Sequence, residues 1–186
     1  MIGREQPKTA RNTDLKGAIA IGLDECTTAL EEALTGLTDE QAWAYPLPDR
    51  HNIVTIAMHC LENLNNHGLY LQTGESLLDP DARFDMWSHP PEELRPLQQD
   101  LPSVSAMIDT LRELREAIVR GLEAATEDDL RGPRTDSPWY RDWNRTSADA
   151  YLRTIMHTMA HLRQVWMLRG ALGLTASDGW PLQHWA

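Results

Sequence analysis

Four separate stretches of the chain repeat apolar residues at alternating spacings of three and four, the interval at which one face of an α-helix recurs. The first, through Leu15, Ile19, Leu23, Cys26, Leu30, Ala33, Leu34 and Leu37, predicts a helix over 14–36. Asn52 is placed to cap a second over 53–73, which Gly74 closes. The third carries Val104, Met107, Ile108, Leu111, Leu114, Ile118 and Leu122, with Pro102 in its first turn. A capping box at Thr146 and Asp149 opens the fourth, which runs on through 153–173. Thr38 and Gln41 form a similar box for a short helical turn, ended by Pro46 and Pro48. No stretch alternates in the manner of a strand, so the expectation is an all-α protein: one four-helix bundle domain over 1–186, with the polar residues 1–12 frayed. The connection over 75–101 holds four prolines and reads as a loop with one helical turn, and 126–145 reads as irregular. Both are too long for tight hairpins, so helices one and two, and three and four, are not expected to be joined in the plain up-and-down way.

Composition narrows the partners. A chain of 186 residues with 41% apolar content can bury one sizeable core without staples. A formal charge of −11 and a pI near 5.0 argue against the nucleic-acid backbone or an anionic membrane as the main partner. No apolar run is long enough to span a bilayer, and the first residues lack the apolar stretch of a signal peptide, so a cytoplasmic location is expected. Cys26 and Cys60 each sit inside an apolar-periodic segment and read as buried thiols, not as a disulfide framework.

The fourth segment carries the chemistry. His157 and His161 are four residues apart, so on a helix they lie about 40° apart around the axis with Cβ atoms roughly 6 Å apart, within reach of one metal ion. Gln164 and Leu168 continue that strip, while Ile155, Met159, Leu162 and Trp166 form an apolar strip opposite, as in a helix buried between neighbours or against a partner chain. Spacing alone does not separate a chelating pair from one exposed and one hydrogen-bonded histidine. The second helix offers a third imidazole. Taking His59 as reference, Asn52, Glu62, Asn63, Asn66, His67 and Tyr70 fall within about 80° of it at α-helical pitch. That strip is either the solvated side of the helix or the wall of a polar pocket. If the second and fourth helices are neighbours, His59, His157 and His161 complete a set suited to zinc, nickel or iron, with a coordination position left open. Glu62 then orients an imidazole or serves as a general base, and His67 is a rival ligand.

With His59 in IVTIAMHCLENL and the pair in MHTMAHLRQVWMLRGALG, the chain resembles the DinB superfamily, which includes thiol-dependent S-transferases and maleylpyruvate isomerases. The resemblance covers nearly the whole chain by element order. It implies a metal triad of His59, His157 and His161, a bundle of unusual connectivity, a divalent metal in a cleft between helices, and a homodimer. It fixes no reaction, because one fold carries many. The functional expectation is a divalent-metal-dependent enzyme acting on a small molecule, either an S-transferase using a low-molecular-weight thiol or a hydrolase. The alternative is a non-catalytic dimeric helical protein that binds a metal or a small molecule.

Aromatic and basic residues interleave before the fourth helix, where Trp139, Tyr140 and Trp143 alternate with Arg134, Arg141 and Arg145. They read either as loop anchors with solvated arginines or as a pocket rim, Arg141 and Trp143 foremost, for an anionic substrate or thiol. Asn63, Asn66, Tyr70 and Gln164 complete the candidate pocket.

Overall fold

A computed structural model describes residues 14–78, 89–96, 101–133 and 145–174. Helices α1 (Leu15–Leu34), α3 (Ile53–Asn63), α6 (Val104–Ala124) and α8 (Ser147–Ala171) form its body. Short helices α2 (Asp39–Trp43), α4 (Leu71–Thr73), α5 (Pro91–Leu94) and α7 (Glu127–Arg131) lie between them, and no strand forms among the described residues. None of the helices is long and apolar enough to cross a membrane.

Local chemistry sets most of the boundaries. Asp14 accepts from Gly17 N at 2.7 Å to start α1, and Gly36, at φ +78°, turns the chain out after it. Asn52 is buried and works in two directions, accepting from Thr55 N at 2.9 Å and donating to Trp43 O at 3.0 Å. It thereby starts α3 and ties it to the end of α2. At α6 the cap is Ser103, whose hydroxyl accepts from Ala106 N at 3.1 Å, so Pro102 precedes the helix and does not occupy its first turn. Asp39 reaches across from α2 and accepts from Val104 N at 2.8 Å, satisfying another of the orphan donors there. The reciprocal box of Thr146 and Asp149 opens α8 as expected. The same device, Thr126 with Asp129, opens α7 inside the segment expected to be irregular.

The second long helix departs from expectation in its interior. Residues Leu64–Tyr70 adopt π-helical bonding between α3 and α4 before Gly74, at φ +77°, ends the run. Bonding from i to i+5 turns the chain less per residue than an α-helix, so the face projected at α-helical pitch slips beyond Asn63. Asn65 becomes a clip: its Oδ1 accepts from Leu77 N at 2.9 Å and Leu78 N at 3.3 Å, folding the exit of the helix back onto it. Gly68 allows α6 to come close, since a Cβ there would lie 2.9 Å from Ile118 Cδ1.

Packing places α3 at the centre, with nearly every residue from Ile53 to Leu61 buried. The principal long-helix partners of both α1 and α3 are α6 and α8, so α8 runs between α1 and α3. Its apolar strip faces α1: Ile155 packs where α1 has only Gly22, and a Cβ on that glycine would lie 2.8 Å from Ile155 Cδ1. Intramolecular packing thus accounts for this part of the strip. Farther along, buried Arg169 donates to Ala33 O at 2.9 Å and Thr35 O at 3.4 Å, and its guanidinium stacks on Trp166. A cation at the C-terminal carbonyls of α1 complements the helix dipole there.

Candidate metal centre

Because α8 lies against α3, the face of α8 that carries histidines meets the face of α3 that carries His59. The ring centroids of His59 and His157 are 4.6 Å apart, those of His59 and His161 4.9 Å, and those of His157 and His161 4.4 Å. One ligand atom from each ring lies within 4.8 Å of the others. Bonds of ~2.1 Å at tetrahedral angles require separations of roughly 3.4 Å, which side-chain rotation in a partly buried pocket can close. All three residues are half-buried, and they form a group of this kind among the described residues.

The neighbours of the rings decide which nitrogens remain for a metal. His161 Nδ1 lies 2.7 Å from Gln164 Oε1, and an amide oxygen can only accept, so Nδ1 carries the proton and Nε2 keeps its lone pair. His59 Nδ1 faces Glu62 Oε2 at 3.9 Å, an orientation that leaves its Nε2 toward the cluster. His157 Nδ1 is buried with no hydrogen-bond partner among the described residues, an orphaned acceptor that a cation would satisfy. One turn beyond His59 on α3, Asn63 Oδ1 is likewise buried without a partner among the described residues. This donor set fits a divalent ion.

Electrostatics holds the cluster ready. Burial, followed by the neighbouring His161 and His59, pushes the His157 pKa down from 6.5 to about 3. Burial lowers His161 as well, against the opposing effect of the hydrogen bond it donates to Gln164. His67 falls from 6.5 to about 4, through burial and then the charge of Arg153. Imidazoles kept neutral in this way present lone pairs instead of competing protons.

The other residues singled out from the sequence are placed unevenly. Glu62 stands beside His59, and Gln164 bonds His161. Asn66 Oδ1 accepts from Asn65 Nδ2 at 3.0 Å, within the clip of the π segment, and Tyr70 is 39% exposed. His67 lies in the π segment, outside the three-histidine group. Arg141 and Trp143, with Arg134, Trp139 and Tyr140, lie outside the described residues. Cys60, next to His59 in sequence, is fully buried, and burial raises its thiol pKa, so it is core and no nucleophile. Sequence reasoning passed over Arg153, whose charge acts on both His67 and His157. Its position four residues before His157 was the available signal.

No curated protein matches the chain. The sequence profile of the DinB superfamily matches residues 22–165, an interval that begins in α1 and ends in α8 and holds all three histidines. With that match spanning most of the chain and the histidines gathered between the helices expected to carry them, the protein belongs to the DinB superfamily.

Proposed function

We propose that the protein is a divalent-metal-dependent enzyme whose ion is held by His59, His157 and His161, and that it transfers a group to a low-molecular-weight thiol or to water. The convergence of three imidazoles from α3 and α8, with ligand atoms within 4.8 Å of one another, carries this reading. A bound divalent ion supplies Lewis acidity, which favours the anionic form of a thiol or of water near neutral pH. The chain's own residues do the rest. Gln164 holds His161 in one tautomer, and Glu62 steers His59 from 3.9 Å. Asn63, with its buried oxygen, offers an acceptor to whatever occupies the cleft. Three protein ligands leave a position for substrate, the arrangement of catalytic sites and not of closed structural ones.

Elemental analysis of protein purified without an affinity tag, beside the His59→Ala variant, tests the site. The expected result is about one equivalent of zinc, nickel or iron in the natural protein and none in the variant. Equal content in both, or no uptake by either on titration, would remove the site. Metal-loaded protein is then given bacillithiol, mycothiol or glutathione with a panel of electrophiles, and separately a panel of esters and amides. Thiol consumption assigns the transferase, product formation without thiol assigns the hydrolase, and silence in both panels would sink the enzymatic reading.

A further inference from the structure

Beyond Gln164, on the side away from Arg153, a cavity of ≈ 470 Å³ opens between α8, the start of α3 and the loop before it. Cavities of this size hold small molecules. The apolar side chains of Leu47, Ile56, Met167 and Leu168 supply most of its wall. Ile56 is one turn before His59, and Leu168 continues the His157 strip, so the cavity shares both helices with the three histidines.

Its polar groups are distinctive in kind. Gln164 lines the cavity, and its Oε1 is committed to His161. Among the described residues Gln164 Nε2 donates to nothing, so two N–H donors remain to face an occupant. At the rim stands Arg50, exposed, with no carboxylate paired to it among the described residues. Gln164 and Arg50 thus offer donors beside an apolar wall, and His51 lines the same cavity. Asp49 shares the rim and disfavours a second negative charge on the occupant.

We infer that this cavity is a binding pocket for a largely apolar monocarboxylate, its body against Ile56 and Leu168, its carboxylate received by Arg50, and an acceptor group at Gln164 Nε2. Gln164 links the pocket to the three-histidine group through His161, and the pocket rests on the metal-enzyme reading only for the claim that its occupant reacts. A guanidinium binds carboxylate through a rigid fork that an ammonium lacks, so the charge, and not mere polarity, is recognised.

Titration calorimetry of the 186-residue protein with 4-phenylbutyrate and with its neutral amide tests the assignment. The acid is expected to bind at least about tenfold more tightly than the amide, and Arg50→Gln to erase that difference while leaving amide binding unchanged. Met167→Trp, at a wall position that is 49% exposed and tolerant of substitution, is expected to weaken both probes about tenfold or more by closing the cavity. His59→Ala, with its metal content measured on the same sample, should leave probe binding intact. Equal affinity for acid and amide, or indifference to Arg50→Gln, overturns the carboxylate assignment. Indifference to Met167→Trp, loss of binding in His59→Ala, or no binding of either probe overturns the location. Persistent binding in a natural protein found to hold no metal leaves the pocket standing and defeats the enzyme reading alone.

Discussion

A buried histidine that resists protonation makes stability depend on pH in a calculable direction. His157 and His67 have folded pKa values of about 3 and about 4 against 6.5 unperturbed, so in the interval between, the unfolded chain binds protons that the folded chain refuses. Metal-free protein should keep this contribution above about pH 6.5 and lose it as pH falls toward 4. Urea midpoints at pH 7.5 and pH 5 measure it; the fall should be smaller in His157→Gln, and an equal fall would show that other groups carry it. The hydrogen bond between His161 and Gln164 sets a second expectation. Gln164→Leu should reduce metal affinity by about 10–100-fold while His161→Ala abolishes stoichiometric binding, both measured by competition with a chelating dye. At this scale the sequence was informative where the chemistry lies within one helix. The i, i+4 step of His157 and His161 and the i, i+3 step to Gln164 are visible in the letters. Arg50 and Ile56 acquire meaning only when α8 arrives beside them, and no spacing in the chain announces that meeting.

The helices owe their positions to a few close approaches. At Gly22, where Ile155 occupies the space a side chain would need, Gly22→Leu should push α1 from α8 and cost about 1–3 kcal/mol, read as a lower urea midpoint. Asp39→Ala removes the acceptor for Val104 N, and about 1 kcal/mol should go with it, since Ser103 continues to cap the next turn. An unchanged midpoint would mean that water replaces the carboxylate. The long helices were legible because their apolar period persists over many turns. α7 was missed although Thr126 and Asp129 spell a box, because five residues give too few turns for a period to show. The π segment was illegible for another reason. LNNHGLY contains nothing that prefers i to i+5 bonding, which here accompanies the Asn65 clip and the approach of Ile118 to Gly68. Projected faces were therefore sound as far as Asn63 and displaced beyond it.

Across the whole molecule the candidate ligands come from helices nearly a hundred residues apart in sequence, so an ion bound to all three ties α3 to α8. Free metal at about 100 times its dissociation constant should add about 2.7 kcal/mol to folding stability, seen as a raised melting temperature that His59→Ala does not share. A rise of equal size in the variant would place the ion elsewhere. The placement of α8 between α1 and α3 was foreshadowed by its two-sided pattern, whereas the pairing of both α1 and α3 with α6 and α8 rests on contacts that no local run of residues encodes. The π turn has a consequence for how such a chain can change its length. A helix turn that spans one residue more than the α-helical repeat holds a spare letter, so an in-frame loss of one codon between Leu64 and Tyr70 has somewhere to be absorbed. Such a deletion would return the segment to α-helical bonding and leave His59, the upstream helix and the residues after Tyr70 in register. The chain could in this way shorten by one residue and leave the three histidines where they are.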